Sequence, residues 1–188
     1  MANKNPPQFL TQEETKRLLA AIKSKRDYAL FLIAYRHGLR ASEIGLLQVD
    51  DVDLKQFTIF IHRLKGSHSG IHPIRPDEAK AVKAMLKERK VDSPYLFLSR
   101  LSQPISRRML DVLIKNYATE ADIPQPKRHF HILKHSAGTH LSSAGADLRV
   151  IQDWLGHVNV QNTDGYTQIT NKKRNDEARR RSISTQIV

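Results

Sequence analysis

The stretch LGHVNVQNTDGYTQ, residues 155–168, decides how this chain is read. It places His157 directly after a glycine and Tyr166 nine residues further on. It does not stand alone. Upstream lie Arg40 in HGLRASEIGLL (37–47), Lys65 in RLKGS (63–67), and His131 and Lys134 in FHILKHSAGTHL (130–141). One tyrosine, two histidines and a set of cations are the parts needed to attack a phosphodiester without a metal. Such a reaction needs a nucleophile, positive charge on the nonbridging oxygens and a proton donor for the departing oxygen. A tyrosine suits the first role because its phosphoester keeps the bond energy for resealing. Its ordinary pKa near 10 demands help from cations or a base, and Arg40, Lys65, His131, Lys134 and His157 are the available helpers.

The bulk of the chain agrees with a polyanionic partner. Thirty-one Lys and Arg stand against nineteen Asp and Glu among 188 residues, a formal charge of +12, which favours nucleic acid over a membrane surface. The chain has no cysteine, so disulfides, Cys-ligated zinc and thiol nucleophiles are excluded. No apolar run approaches the roughly 20 residues that span a bilayer. The start, MANKNPPQFL, has no apolar signal core. The expectation is a cytoplasmic, nucleoid-associated protein.

The local patterns predict a mainly α fold with a small antiparallel β-sheet, an α+β architecture. Thr11 to Glu14 fits a capping box, opening a helix to about residue 24. The segment RDYALFLIAYRH, 26–37, is apolar on most sides and should be a buried central helix ended by Gly38. A short helix is expected over 41–47. Residues 57–61 and 71–74 read as two strands joined by a turn carrying Lys65 near its tip, and 95–98 as a further extended piece. Pro76 starts a helix to about residue 90, Ser106 caps one to about 120, and Asp147 caps one over 147–155. Helices are also expected over 131–143 and 159–166. The organisation is one domain, 11–170, with a flexible leader, 1–10, and a basic C-terminal tail, 171–188.

Taken together, the boxes resemble the tyrosine recombinase (phage integrase) family, over about residues 9–170. GLRASEIGLLQVDDVDL, 38–54, looks like the first box. RDYALFLIAYRHGLRASEI, RLKGSHSGIHPI and GADLRVIQDWLGH resemble in particular the short recombinases of fimbrial phase variation, which lack a separate DNA-clamping domain. The resemblance implies that Arg40 grips the scissile phosphate, with Glu43 orienting its guanidinium. It implies that Lys65 protonates the 5′ leaving oxygen, that His131 is a general acid/base and that His157 donates to a phosphate oxygen. Tyr166 would attack to give a 3′-phosphotyrosyl bond. The implied partners are double-stranded DNA, three further copies in a homo-tetramer, and accessory DNA-bending proteins; no cofactor or metal is implied. One position departs from the family: where its second box reads His-x-x-Arg, this chain has Lys134. Lysine keeps the charge and loses the planar fork. The alternative is therefore a catalytically impaired DNA-binding regulator of the same fold.

Blander readings stand beside these. Arg40 alone is a helix-surface cation, Lys65 a solvated turn lysine, His157 a turn residue, and Tyr166 a packed aromatic. His68 and His72 read as polar or DNA-facing. His135 reads as packed or supporting, and Trp154 as core. The tail cations Lys172, Lys173, Arg174, Arg179, Arg180 and Arg181 are either solvated or in contact with DNA or a neighbouring subunit. His131, His135 and His140 invite a metal-dependent nuclease or phosphatase, but that motif wants a Glu after the first His, where Ile132 stands.

Overall fold

The structure, a computed structural model, describes residues 8–64, 67–157, 163, 165 and 166. Among the described residues, these helices and one three-stranded sheet follow in order: α1 (Gln12–Ala21), α2 (Lys25–Arg36), α3 (Ala41–Ile44), β1 (Val52–Asp53), β2 (Thr58–Ile61), β3 (Gly70–Pro73), α4 (Pro76–Glu88), α5 (Arg107–Glu120), α6 (Ile132–Ser143) and α7 (Leu148–Leu155). Thr163, Gly165 and Tyr166 are also helical. The fold class is thus mainly α with a small antiparallel sheet, and the helix starts follow their capping residues. Thr11 accepts from the Glu14 N–H at 3.1 Å while Glu14 accepts from the Thr11 N–H at 2.6 Å. Ser24, Ser106 and Asp147 cap α2, α5 and α7. Serving as the α2 cap puts Ser24 in extended backbone, and this is why α1 stops at Ala21 rather than continuing to 24.

Helix α2 is the axis of the molecule. Ala29, Leu30, Phe31, Leu32, Ile33 and Ala34 are all buried, because α4 and α6 both pack against it. The sheet runs β1-β2-β3, antiparallel, with Val52 opposite Ile59 and Ile61 opposite Gly70. Strand alternation turns Ile59 and Ile61 into the core and leaves Phe60 outward. Residues 95–98 form no strand; they make single bridges, Gln48 to Tyr95 and Leu98 to Pro104, which fasten the chain past α3 without starting a ladder. A second, smaller apolar cluster of Ala137, Ile151, Leu155 and Tyr166 joins α6 and α7, with Tyr35 and Trp154 against it. This cluster fixes the position of the site. Among the described residues no helix is long and apolar enough to cross a membrane.

The expected leader includes a residue that belongs to the core. Leu10 is 1% exposed, and its N–H donates to Ser136 Oγ at 2.8 Å, tying the start of the chain to α6. Leu10→Ala should therefore cost about 2–4 kcal/mol of unfolding free energy. The urea midpoint at unchanged slope measures it. A loss below about 0.5 kcal/mol, the surface range, would return Leu10 to the leader.

Candidate active site

The site begins with a buried carboxylate. After α2 ends, His37 and Gly38 turn the chain and Arg40 caps α3. Glu43, one turn into α3, reaches back: Oε2 accepts the Arg40 N–H at 2.8 Å and Oε1 accepts Arg40 Nη1 at 2.7 Å. Burial works to raise the Glu43 carboxyl. The Arg40 N–H, Arg63 and Lys134 outweigh it and hold the group below its ordinary range. Arg40 remains 29% exposed at its side chain, so the guanidinium is oriented from below and open above.

Arg63 is the residue that the sequence reading passed over. Its side chain is buried, and its guanidinium donates to Glu43 Oε2 at 2.9 Å and to the carbonyls of Gly38 at 3.1 Å, His37 at 2.8 Å and Trp154 at 2.5 Å. One side chain thereby joins the end of α2, the start of α3, the β2–β3 hairpin and the end of α7. A signal existed: Ile59 and Ile61 face inward, so position 63 continues the inward row. Lys65, two residues further on, lies outside the described residues, so its expected place at the hairpin tip stays an expectation.

Helix α6 carries the second box. His131 immediately precedes it, open to solvent. Its ring meets His135 edge-on, with centroids 4.5 Å apart. Lys134 is turned inward: Nζ donates to the carbonyls of Gly38 at 3.0 Å and of Leu155. Loss of hydration, with Arg63 and Arg40 nearby, pushes Lys134 down to about 6. The expected phosphate-facing cation is thus in the floor of the site, linking the backbone before Arg40 to the backbone before His157.

Helix α7 ends at Gly156 with φ 62°. A Cβ there would also lie 2.9 Å from Arg63 Cδ, so the left-handed turn and the close approach both require glycine. The turn delivers His157, whose N–H donates to the Gln152 carbonyl at 2.9 Å and whose Nδ1 lies 3.1 Å from Thr163 Oγ1. Its ring stacks on Tyr166, with centroids 6.1 Å apart and planes at 19°. Tyr166 is 1% exposed and its Oη lies 3.0 Å from His135 Nδ1. Burial raises the phenol well above its ordinary value, against a lowering by Arg40. Desolvation, then neighbouring positive charge, pushes His157 down to about 3 and His131 and His135 down to about 4.

Beyond the groove, the supporting layer differs from expectation. His72 is not a DNA-facing residue. It is buried with its Nδ1 3.2 Å from His37 Nδ1, and His37 Nε2 lies 2.9 Å from Glu78 Oε1. Trp154 stacks on His37 and donates its indole N–H to the Arg36 carbonyl at 2.8 Å. His68 is exposed. His140 Nδ1 lies 2.7 Å from Tyr35 Oη. An open groove of about 610 Å³ beside the site is lined by Arg40, Ser42, Arg107, Lys115, His129 and His131, among others. Four predicted site residues, Arg40, His131, His157 and Tyr166, border one continuous set of contacts, with Lys134 beneath them.

The chain is similar in sequence and in fold to known proteins. The model of the phage integrase family matches residues 8–173. Type 1 fimbriae regulatory protein FimB of Escherichia coli (strain K12) is 40% identical over 167 residues, covering 85% of this chain and 83% of FimB. The crystal structure of XerA recombinase is similar with a TM-score of 0.81 at 28% identity, over 93% of this chain and 66% of that one. The pre-cleavage complex of XerH site-specific recombinase bound to difH substrate gives 0.76 at 25% identity, over 89% and 52%.

Two predictions follow from the charge arrangement. Arg63→Met strips a buried carboxylate of a buried partner and should cost about 3 kcal/mol or more. Arg40→Met, at a partly exposed pair, should cost no more than about 1 kcal/mol; urea unfolding of the two variants compares them, and equal losses would contradict the assignment. The pH dependence has a definite sign. Histidines 72, 131, 135 and 157 all have folded pKa values below the ordinary 6.5, so the unfolded chain takes up more protons and stability falls as pH drops from about 6.5 toward 3. Lys134, lowered from 10.5 to about 6, adds stability as pH rises between those values. The thermal midpoint should rank pH 9 above pH 7 above pH 5, whereas a maximum at pH 5 would contradict this account.

Proposed function

The chain belongs to the phage integrase family, and from that membership we propose that Tyr166 cuts and reseals DNA strands at a specific site through a 3′-phosphotyrosyl intermediate. The observation that carries the assignment is the placement of Tyr166: its hydroxyl is 3.0 Å from an α6 histidine, its ring lies under His157, and the oriented Arg40 belongs to the same contact set. In cleavage the phenol loses its proton, the Oη–P bond forms and the P–O5′ bond breaks, and the 5′-oxygen departs with a proton. Arg40 and His157 bind nonbridging oxygens, and His131, open at the groove, exchanges protons there. Lys65 is proposed as the donor to the 5′-oxygen. Lys134 acts from the floor, holding Gly38 and Leu155 so that Arg40 and His157 meet one phosphate. Attack by the 5′-hydroxyl of a partner strand reverses the chemistry. One phosphoester replaces another at each step, so the bond energy is conserved and no nucleotide is consumed.

The proposed partner is double-stranded DNA in the cytoplasm, within the nucleoid, bound largely through the +12 charge. Strand exchange between two duplexes calls for four protomers, and accessory DNA-bending proteins are proposed to help assemble the complex.

A covalent-capture selection tests the reading. Nicked duplexes tiling the DNA on either side of the gene are incubated with the protein in EDTA, and SDS-resistant protein–DNA adducts are recovered and sequenced. The wild-type chain should yield adducts at one recurrent site, and Tyr166→Phe none; adducts that persist in Tyr166→Phe would overturn the assignment. Gly138→Ala is a second probe. A Cβ at 138 would meet the Tyr166 ring at 2.6 Å. Helix propensity gains about 1 kcal/mol while overpacking costs about 1–3 kcal/mol, so stability should fall by about 0–2 kcal/mol while the adduct yield of the folded variant falls at least about tenfold, a transition-state loss of about 1.4 kcal/mol.

A further inference from the structure

The α6 residues His135, Gly138 and Ser142 fall at spacings of three and four, on one stripe of the helix, and all three touch Tyr166. Gly138 receives the ring, since a Cβ there would meet Tyr166 Cε2 at 2.6 Å and Cζ at 2.8 Å. Ser142 Oγ lies 3.5 Å from the Tyr166 carbonyl. His135 Nδ1 meets the hydroxyl at 3.0 Å. The stripe is a cradle shaped to the nucleophile, and its one titratable member sits at the reacting atom.

We propose that His135 is a catalytic residue, the base that takes the phenolic proton of Tyr166 as the bond to phosphorus forms. This rests on the proposed strand-cutting role of Tyr166 and deepens it. In the step, the Tyr166 O–H bond breaks and its proton passes to His135 Nδ1, while the oxygen's electron pair forms the Oη–P bond. The P–O5′ bond breaks and the 5′-oxygen takes a proton from a separate donor. On resealing, His135 returns its proton to the tyrosine. The neutral ring needs its proton on Nε2 so that Nδ1 accepts. A buried phenol holds its proton tightly at neutral pH, so attack requires an acceptor at Oη, and desolvation keeps His135 unprotonated and ready. The titratable and charged groups around the pair are His131 edge-on to His135, His129 and Lys134, with His157 stacked on Tyr166 and Arg40 acting on the phenol.

His135→Asn separates proton acceptance from positioning. Its Oδ1 can stand where Nδ1 stands and accept the hydrogen bond, yet it takes up no proton. On the captured duplex, the variant should bind DNA within about threefold of wild type and form adduct about 10²-fold more slowly. Two further readouts carry the assignment. A 5′-bridging phosphorothiolate, whose leaving group needs no proton, should leave the defect in place. Raising the pH toward 10 should speed the variant more than the wild type, because solvent hydroxide then removes the phenolic proton. His135→Ala, as a second variant, should regain adduct formation on adding imidazole. Wild-type rates in His135→Asn would overturn the inference, as would faster cleavage, which would make the contact a resting latch. Rescue by the phosphorothiolate would also overturn it, placing His135 at the leaving group. These results leave the Tyr166 assignment standing, whereas a wild-type chain that forms no adduct removes both.

Discussion

One buried carboxylate organises the site. Glu43 receives the Arg40 N–H and guanidinium on one side and Arg63 on the other, and it feels the charge of Lys134. Two guanidiniums, Arg40 and Arg63, crowd this spot in a chain that already carries +12; without an anion between them they would repel one another and open the turn after α2. Such a network is not a stability device. Apolar side chains of equal volume are often as stable or more so, because desolvating charges offsets their attraction. What the network supplies is registry. Arg63 binds four acceptors drawn from three separate parts of the chain, and a flat guanidinium fits them in one arrangement only. Arg40, which shares the carboxylate, inherits that fixed geometry while its outer face stays open.

Helix α6 acts as the ruler against which the rest is placed. Lys134 points to the α2 turn and the α7 end, while the stripe of His135, Gly138 and Ser142 points to Tyr166. These two directions lie on neighbouring faces of one rigid element, so the cationic half of the site and the nucleophilic half are held at a fixed offset. The small cluster of Ala137, Ile151, Leu155 and Tyr166 seals the junction. Tyr166, the proposed nucleophile, is therefore a core residue as well, and burial and chemistry are not competing readings of the same side chain.

Much of this was legible from local pattern. Capping residues announced α1, α5 and α7, and the all-round apolar segment announced the central helix, because those signals act over three or four residues. The spacing of His131, His157 and Tyr166 also survived into three dimensions, since α6 and α7 are short helices that pack directly on one another. What was hidden depends on long-range partners. Arg63 looked like one more basic residue beside Lys65 until the strand carried it under α3. His72 looked polar until Trp154 and His37 closed over it. Leu10 looked like leader until Ser136, 126 residues away, supplied its hydrogen-bond acceptor. In each case the deciding contact lies 20 or more residues off, where composition and periodicity carry no information.

The lysine at position 134 follows from the same geometry. Gly38 and Leu155 approach so closely that a Cβ on Gly38 would stand 2.2 Å from Leu155 Cδ2 and 3.8 Å from Lys134 Cγ. A thin methylene stem with a point donor at its end fits between them and reaches the Gly38 carbonyl. Arg63 already holds that carbonyl at 3.1 Å, so a second planar fork would contend for the same acceptor and the same volume. The guanidinium that the family pattern leads one to expect on α6 is present in the floor, supplied by the hairpin. In the proposed reaction the phosphate takes its charged contact from Arg40 and neutral N–H donors from the histidine side of the groove, where loss of hydration keeps the rings unprotonated, while the assembly of the site around Gly38 and Leu155 stays intact.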